Sequence, residues 1–578
     1  MERNLILAII LSVIIITLFH YLSQTYYPPP KPEPAGPTVP QPVQQEPAKM
    51  EPMPQPVEKV PEPSVLKPQP LLPPGEAAVS SERKITINTP KYEAVFSSIG
   101  ARIISFKLKA YKQNIDDDRP INLFSSDAPD TSGPSLVFVV REDTFSDAEL
   151  PYVCDSPLTT ITIDDQNQPK SLTFRGVTGS GLVISKTYSF SADSYVVGFQ
   201  LSMTNESSED KNYLVTFPWR KSFRQNSSEQ LTWNSTEIML NGELKDYYFQ
   251  SVDSVKDASG RVEWVGMGDV HFIKAIVFGE KSASKVTILP PTKTGVAEVL
   301  IRYGSVDIPK GSAIHTDLKL YFGPKEAHFL AAAGSNLERA LYYSSWFSRT
   351  FRLSFLDALI NGMCEYLLKF LKLCHSGFTV AGVRVPGLHN YGIAIILLTV
   401  LIKILFIPLT HKSMKSMKRM QELQPLLAKI KEKYKDDKAA QNKATMELFR
   451  EHKVNPLGSC WPMFLQLPVF IALYQTLAYS IELRHAPFVC IPSLFLCIKD
   501  LSAADPYYVT PILMGLTMAL QQWMTPSTGD PTQKKMMMVL PVVFTFFFLN
   551  FPAGLVLYWL VNNILSIAQQ YITNRMLA

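Results

Sequence analysis

One lysine interrupts an apolar segment that is long enough to cross a membrane. In ILLTVLIKILFIPLT, residues 396–410, Lys403 is the only charged residue, and Thr399 lies one helical turn before it on the same face. A cation at the centre of a membrane span costs about 2.5 to 3.5 kcal/mol, so such residues usually face a bundle interior or a water-filled cavity. Lys403 is therefore the first candidate for a functional residue.

Polar residues also interrupt the apolar segments that follow: Gln466, Thr517, Gln521, Gln522, Asn562, Asn563 and Ser566. Gathered on one side, these residues would line a hydrated groove, whereas scattered residues would form ordinary interhelical hydrogen bonds. Ordinary interhelical hydrogen bonding explains a single glutamine or threonine well enough. Lys403 is not, because its charge needs a partner and no Asp or Glu lies deep within these segments.

Several other kinds of chemistry lack the residues that they need. The six cysteines and nine histidines form no C-x-x-C pair and no metal-like spacing, which argues against a zinc or thiol-redox site. The sequence also lacks the phosphate-loop, H-E-x-x-H and G-x-S-x-G motifs. We therefore expect no metal, no cofactor and no ATP hydrolysis.

Six segments are long and apolar enough to span a membrane. Leu5–Leu22 is just long enough to cross a hydrocarbon core of roughly 30 Å, and we interpret residues 1–27 as an uncleaved anchor. A cleaved signal peptide is the alternative, but no convincing small-x-small cleavage site follows. The other candidate spans are Tyr391–Leu409, Cys460–Ile481, Tyr507–Met524, Met536–Phe551 and Ala553–Tyr571.

The charges of the loops predict how these spans are oriented. The segment 411–455 contains 12 Lys or Arg and 6 Asp or Glu, whereas the 483–506 loop contains only Arg484 and Lys499 as basic residues. The positive-inside rule then places 411–455, the N-terminus and the C-terminus in the cytoplasm. Lys403 lies seven residues before Thr410, roughly 10 Å from the cytoplasmic end of its span, so a groove around it should open to the cytoplasm.

Three segments with different patterns precede the second span. Residues 28–79 contain 18 of the chain's 44 prolines, which predicts a semi-rigid tether. Residues 80–337 alternate with period 2, as in YVVGFQLSM, and predict a large antiparallel β-sandwich outside the cytoplasm. Residues 338–374 combine apolar faces with eight charged residues, which predicts an amphipathic helix in the membrane interface.

The cytoplasmic segment 411–455 carries a stripe of apolar residues at helical spacing: Met417, Met420, Leu423, Leu427, Ile430 and Tyr434. Pro425 interrupts the stripe, and KDDK marks a turn before a second helix that ends near His452. The simplest interpretation is a solvated hairpin held together by its own stripe. Its basic surface and methionines equally suit ribosomal RNA, anionic lipid or an amphipathic client.

Six motifs in order carry a family resemblance: NYGIAIILLTVLIKILFIPLT, LQPLLAKIKEKYKDDK, KVNPLGSCWPMFLQLPVFIALYQTL, APFV, DLSAADPYYVTPILMGLTMALQQWM and FPAGLVLYWLVNNILSIAQQ. This succession closely resembles the YidC family of bacterial membrane protein insertases. The resemblance is dense over roughly 390–572, and the anchor, tether and β-domain agree with the Gram-negative form. It implies a multi-pass protein of the inner membrane that is not an enzyme but an insertase and chaperone.

The resemblance also implies a five-helix core, made by the span 390–410 and four spans within 456–572, around a lipid-facing groove open to the cytoplasm. The family has an arginine at the groove centre, and that position here is Lys403, which keeps the charge but loses the planar fork. The implied groove residues are Lys403, Thr399, Gln466, Gln522, Tyr558, Trp559 and Asn562. Tyr558 and Trp559 match an aromatic pair that contacts the client's apolar segment.

Partners implied by the resemblance are nascent membrane proteins and the Sec translocon, which the β-domain contacts in the family. That domain resembles a sugar-mutarotase sandwich. Met420, Leu427 and Ile430 mark the hairpin surface that would meet a client, a ribosome or anionic lipids. An additional CIPSLFLC in the outer loop leaves open whether Cys490 and Cys497 form a disulfide or remain free thiols.

Two other functions remain as alternatives at this stage. A small-solute or ion transporter could use Lys403 as an anion site, although internal repeats and paired broken helices are absent from the sequence. A membrane-tethered sugar-binding or sugar-isomerising enzyme could be centred on the β-domain. Its histidines, His271, His315 and His328, have no sequence-visible acidic partners.

Overall fold

The computed structural model describes residues 82–124, 137–140, 143–164, 170–222, 234–279, 283–293, 295–341, 354–380, 383–435, 437–452, 461–491, 496–524 and 531–577. The predicted anchor and tether lie outside these residues. Within them, a β-rich part precedes a helical part, as the sequence pattern predicts. We call described residues 82–341 the β-domain and described residues 354–577 the helical domain.

The β-domain contains nineteen strands among the described residues. They are β1 Lys84–Asn88, β2 Tyr92–Ser97, β3 Arg102–Lys112, β4 Pro120–Asn122, β5 Val137–Val140, β6 Asp143–Ser146, β7 Val153–Cys154, β8 Thr160–Thr162, β9 Ser171–Val177, β10 Leu182–Ser189, β11 Val196–Asn205, β12 Lys211–Ser222, β13 Ser235–Leu240, β14 Glu243–Tyr248, β15 Lys256–Gly268, β16 Phe272–Phe278, β17 Ala283–Leu289, β18 Val296–Ile308 and β19 Ala313–Pro324.

Two sheets form this domain. The larger has 14 strands, with the order β6-β5-β12-β18-β17-β15-β16-β19-β11-β10-β9-β7; β13 is attached to β15, and β14 to β13. The smaller has the order β4-β3-β2-β1-β8. The prediction of purely antiparallel pairing is wrong at one place, because β1 and β8 are parallel. The long connection between these two strands leaves room for the crossover that parallel pairing requires.

Alternation of side chains explains how the sheets pack. In β11 the side chains of Val197, Phe199, Leu201 and Met203 are buried, while the residues between them are partly or fully exposed. Strand β16 differs because all seven of its residues are buried, which fits a strand covered on both faces. The sandwich therefore has one thick apolar core in which any charged residue needs a specific explanation.

A buried ion pair links the two sheets. Lys186 Nζ on β10 lies 2.6 Å from Asp147 Oδ2 and donates a hydrogen bond of 2.6 Å to the carbonyl of Gly100, next to β3. Tyr152 donates its hydroxyl to the same Asp147 oxygen at 2.8 Å. Both charged side chains are fully buried, so the pair and its hydrogen bonds satisfy groups that would otherwise be costly to desolvate.

Nine α-helices occur among the described residues, the first within the β-domain. They are α1 Ala327–Ala333, α2 Ser354–Ser376, α3 Tyr391–Glu422, α4 Gln424–Lys433, α5 Lys438–Glu451, α6 Trp461–Tyr479, α7 Val509–Met524, α8 Pro531–Phe548 and α9 Ala553–Leu577. Two short hairpins are formed by β20 Gly377–Val380 with β21 Val383–Pro386 and by β22 Cys490–Ile491 with β23 Leu496–Cys497. A 3₁₀ turn is formed by Leu337–Leu341, and residues 342–353 of the predicted amphipathic segment lie outside the described residues.

Helices α3, α6, α7, α8 and α9 coincide with the five predicted spans that follow the β-domain. They share one apolar cluster that includes Leu398, Leu473, Met514 and Leu557. By length and hydropathy, one helical segment of the described residues, Tyr391–His411, is suited to cross a membrane, with a mean hydropathy of 2.7. The count of six spans therefore remains a prediction.

Helix α3 extends beyond the predicted span Tyr391–Leu409 as one continuous helix. Asn390 begins it by accepting a hydrogen bond from the Ile393 N–H, and the helix ends at Glu422, three residues before Pro425. Helices α4 and α5 then form the predicted hairpin, with Asp437 capping α5 through the N–H groups of Ala439 and Ala440.

The β-domain contacts the loop between α6 and α7. Arg484 donates hydrogen bonds of 2.8 and 3.0 Å to the carbonyls of Lys112 and Gln113 in the β3–β4 turn. Its guanidinium lies 5.3 Å from the ring centre of Phe272, and Lys499 pairs with Asp116 at 2.7 Å. The two domains are therefore joined by polar contacts on one side of the helical bundle.

Candidate functional site

Lys403 lies where α3 packs against α9. Its Nζ donates a hydrogen bond of 2.6 Å to Ser566 Oγ, and Ser566 donates in turn to the carbonyl of Asn562 at 2.6 Å. The lysine is partly buried, and no carboxylate lies within ion-pair distance of it in the described part of the chain. The ammonium is thus held by a neutral hydroxyl, and its charge has no protein counter-ion there.

A second polar contact occurs on the same helix pair, further towards the end of α3. Gln569 Nε2 donates a hydrogen bond of 2.6 Å to Thr410 Oγ1, and that hydroxyl also donates to carbonyls within α3. Thr410 follows Lys403 by seven residues, or about 10 Å along a helix. We call this half of the helix pair, from Lys403 and Ser566 to Thr410 and Gln569, the polar seam.

The opposite half of the same helix pair is apolar. Ile395 and Leu398 of α3 are 0% and 2% exposed, and Leu555 and Val556 of α9 are equally well buried. Gly554 brings the helices close there, because a Cβ on it would lie 3.3 Å from the Ile395 side chain. Thr399 is 1% exposed and donates its hydroxyl to the Ile395 carbonyl, so it belongs to this closed half and does not contact Lys403 through a hydrogen bond.

The predicted aromatic pair divides between two environments. Tyr558 is 2% exposed, and its hydroxyl lies close to the Gln466 side chain without a hydrogen bond of normal geometry. Trp559 is partly buried against Phe470, Phe544 and Phe548, at ring-centre distances of 4.9, 6.1 and 5.0 Å. Contact of Tyr558 with a client therefore requires its ring to become accessible.

The remaining polar residues of the spans include genuine interhelical connections. Asn563 is buried and donates to the Met514 carbonyl and to Thr517 Oγ1, both at 3.4 Å, which links α9 to α7. Asn562 is partly buried on α9, one turn before Ser566. Gln522 of α7 is also partly buried, and its Oε1 has no hydrogen-bond partner among the described residues.

Exposed apolar side chains flank the polar seam. Leu401, Ile404, Leu405 and Ile407 of α3 are between 39% and 67% exposed. Such a surface is suited to contact with lipid, and Lys403 lies within one turn of it. The lysine is therefore placed between an exposed apolar surface and a helix–helix contact.

The hairpin residues are only partly packed. Met420 and Leu423 are buried with Phe449, which lies on α5, and this cluster holds the hairpin at its base. Leu427 and Ile430 are partly buried, and helix α4 has no fully buried residue. The predicted apolar stripe thus packs within the hairpin at Met420 and leaves part of its apolar surface exposed at Leu427 and Ile430.

The outer-loop cysteines are bonded: Cys490 and Cys497 form a disulfide across the β22–β23 hairpin. Among the described residues no group of three or more His, Cys, Asp or Glu could hold a metal ion. His328 pairs with Glu326 at 3.5 Å on an exposed surface, and His315 lies opposite Ser202 in the β11–β19 ladder. His271 follows Asp269 closely but contacts it through its backbone N–H.

Ser566, Thr410 and Gln569 matter more in the structure than the sequence predicts. Ser566 was one of seven polar interruptions, and Gln569 and Thr410 lie close to span ends where polar residues are common. A usable pattern exists, because Asn562, Ser566 and Gln569 recur at helical spacing on one face of α9. The pairing partner on α3 could not be read from that spacing.

Comparison with known proteins gives the same assignment for both domains. The sequence model described as "60Kd inner membrane protein" matches residues 384–578, and the one described as "YidC periplasmic domain" matches residues 84–354. A relative from Geobacter metallireducens named "Membrane protein insertase YidC" is 36% identical over 100% of this chain and 99% of its own length.

Another relative of that name, from Syntrophus aciditrophicus, is 35% identical over 100% of both chains. Among solved structures, an active YidC insertase crystal structure with its first transmembrane domain aligns with 85% of this chain and 93% of its own, at 17% identity and a TM-score of 0.34.

Proposed function

The chain belongs to the YidC family of membrane protein insertases, and we propose that the polar seam around Lys403 is where hydrophilic segments of its clients enter the membrane. The protein is an insertase and not an enzyme. We propose further that the seam forms part of a hydrophilic groove open to the cytoplasm and to lipid. Client segments would enter it from the cytoplasmic side.

The observation that carries this proposal is the change of polarity along one helix pair. Between α3 and α9, the half with Ile395 and Val556 is apolar and closed, whereas the half with Lys403 and Gln569 is polar. A uniform polar contact would suggest interhelical hydrogen bonding alone. A polar half that ends in the basic segment 411–455 instead favours water entering from that side only.

The mechanism follows from what a segment loses when it leaves water. A polar or acidic client segment that enters a hydrated groove keeps part of its hydration, so the desolvation cost of transfer is divided into smaller steps. Lys403 attracts a carboxylate in that segment, and the lipid-facing side chains of α3 let the client's apolar helix move into the bilayer. Gln466, Gln522 and Asn562 provide further hydrogen-bonding groups on neighbouring helices.

The hydrogen bond to Ser566 keeps the lysine in place without neutralising it. Because Ser566 donates its hydroxyl hydrogen to the Asn562 carbonyl, its oxygen is oriented to accept from Lys403 and fixes the ammonium at the helix pair. Two of the three ammonium donors stay available to a client. Tyr558 and Trp559 would contact the client's apolar segment when the core opens.

We extend the proposal to the topology and the partners. Six spans would place both termini in the cytoplasm and the β-domain in the periplasm, and the clients would be nascent membrane proteins. Chaperone activity and cooperation with the Sec translocon would use the β-domain and the helical core together. The hairpin, with Leu427 and Ile430 only partly packed and a basic surface, would contact clients, the ribosome or anionic lipids.

Site-specific labelling tests the groove directly. Ser566→Cys is introduced into a chain whose native cysteines have been replaced, and membrane vesicles of both orientations are treated with a membrane-impermeant maleimide. We expect labelling from the cytoplasmic face, at least tenfold faster than in two controls. Leu398→Cys lies in the apolar half, and Leu405→Cys is 67% exposed but faces lipid.

The two controls separate accessibility from hydration, since Leu405 is exposed yet should lie in lipid. A Ser566→Cys variant that retains insertion activity but reacts no faster than Leu405→Cys would show that the seam is dry. Labelling from the periplasmic face would show that the groove opens the other way. Either result would overturn the proposed route.

A further inference from the structure

The β-domain contains a half-open cavity that the insertase mechanism does not use. Its volume is about 170 Å³, and it lies between the β3–β4 sheet edge and strands β12, β15 and β16. The lining combines apolar residues, such as Met267 and Phe272, with Lys221, Lys274 and Asp269. Phe272 is also the ring beneath Arg484, so the cavity adjoins the contact with the helical domain.

Lys274 is the most unusual residue of this cavity. It is 4% exposed, in the middle of the otherwise apolar strand β16. Its Nζ lies 4.6 Å from the ring centre of Phe124 and 6.0 Å from that of Trp219, but it has no hydrogen bond or ion pair within the described part of the chain. Aromatic faces compensate a buried ammonium only partly, so an added hydrogen-bond acceptor would stabilise this group.

Other groups around the cavity are donors as well. Asn122 accepts two backbone N–H groups, from Phe106 and Phe124, through its Oδ1, which leaves its Nδ2 as a donor. The buried indole N–H of Trp219 likewise has no acceptor among the described residues. Asp269 is the one acidic side chain of the lining, and its Oδ1 is occupied by the N–H groups of His271 and Phe272.

The charges of the cavity do not balance. When both lysines are protonated, the described lining holds two cations, Lys221 and Lys274, and one anion, Asp269. The neighbouring Lys325 and Glu237 form their own ion pair at 2.5 Å outside this lining. Among the described lining residues, one positive charge is then left over, together with the donors of Lys274 and of Asn122 Nδ2. A bound group with a single negative charge and two acceptor oxygens would neutralise this charge and accept hydrogen bonds from these donors.

We propose that this cavity binds a small organic carboxylate, with its carboxylate group between Lys221 and Lys274 and its body against Met267 and Phe272. The volume limits the ligand to a small molecule, since one water molecule occupies about 30 Å³ in the liquid. The mixed lining favours a short chain with one charged end. This site is independent of the groove at Lys403.

A fluorinated carboxylate and its neutral analogue test the proposal. The full-length protein in lipid nanodiscs is titrated with 4,4,4-trifluorobutyrate or 4,4,4-trifluorobutanol, and binding is followed by fluorine NMR line width. We expect saturable binding of the carboxylate only. Lys274→Met and Lys221→Met should each weaken binding at least tenfold, whereas Lys256→Met, at the exposed start of β15, should leave it unchanged.

Methionine keeps most of the volume of lysine and removes a buried charge, so these variants should remain folded. Thermal unfolding of each variant verifies this. Unaltered binding in both Lys221→Met and Lys274→Met would overturn the proposal, as would equal binding of the alcohol. Competition by inorganic phosphate as effective as that by butyrate would show an unselective anion site and would also refute the assignment to carboxylates.

The pH dependence provides a second readout. Burial and the neighbouring Lys221 lower the pKa of Lys274 to about 7, although Asp269 opposes the shift. Burial also lowers the pKa of Lys221. A carboxylate prefers the protonated lysine, so affinity should fall as the pH rises through this value, by roughly 30-fold between pH 6 and pH 8.5. Affinity independent of pH would contradict a role for Lys274.

Discussion

Replacing Lys403 should change insertion according to the charge of the client. Lys403→Arg keeps the cation and should preserve insertion. Lys403→Ala removes it and should slow the entry of a client with an acidic leading segment. Lys403→Glu reverses it and should be the slowest. The order depends on the unpaired ammonium, whose single hydrogen bond in the described structure goes to the neutral hydroxyl of Ser566.

The magnitude follows from Coulomb's law and the partial burial of Lys403. A client carboxylate 4 Å from Nζ is attracted by about 1 kcal/mol in water and by about 4 kcal/mol at an effective dielectric constant of 20. A half-hydrated groove lies between these limits, and we take about 2 kcal/mol. Since 1.4 kcal/mol corresponds to a factor of ten, Lys403→Ala should slow insertion roughly 30-fold for one interacting carboxylate.

The assay uses purified protein in lipid vesicles and two forms of one client. The first carries an acidic leading segment, and the second carries the same segment with Asp and Glu changed to Asn and Gln. Initial insertion rates are measured as protease-protected client for the wild type and the three variants. The neutralised client is the control, because its rate should differ by less than about threefold across the series.

Two results would refute this reasoning. Equal rates of Lys403→Ala and the wild type on the acidic client would remove the charge from the mechanism. A similar loss for both clients would mean that Lys403 acts through helix packing, with Ser566, and not by attraction. In the second case Ser566→Ala should reproduce the defect of Lys403→Ala, which gives an independent verification.

Two further predictions concern other parts of the chain. Lys186→Met should lower the free energy of unfolding of the β-domain by about 3 to 5 kcal/mol, because it leaves Asp147 buried without its cation. The double variant with Asp147→Leu should recover part of this loss. Both are measured by urea unfolding of the full chain, followed by tryptophan fluorescence. Replacing residues 428–444 by a short Gly/Ser link should reduce crosslinking to stalled nascent chains more than it lowers the melting temperature, because α4 has no fully buried residue; an equal loss in both measurements would indicate a structural role.

Local patterns made most elements predictable. The period-2 alternation around Phe199 determines which face of β11 is buried, and the apolar runs after Tyr391 determine where the helices lie. Pro425 predicts the break after α3, because proline starts a helix more easily than it continues one. These are interactions between residues close in sequence, so a single sequence contains the information.

Contacts between distant residues were not predictable in the same way. The parallel pairing of β1 with β8 depends on how the chain returns after some seventy residues, which alternation within either strand does not encode. The partner of Lys403 is 163 residues away, and an acceptor on any of the four other spans would have fitted the sequence equally well. Burial of Lys274 depends on both faces of β16 being covered, which the residues of that strand alone do not encode.

The hydrogen bond between Lys403 and Ser566 connects these points to the function. A carboxylate partner within the protein would hold the lysine more firmly, but it would also compete with every acidic client for the same charge. A serine positions the ammonium and leaves the charge available. It also makes few geometric demands, since a hydroxyl can accept from either a lysine or an arginine. The local structure should therefore accept an arginine in place of Lys403, provided that the seam remains hydrated.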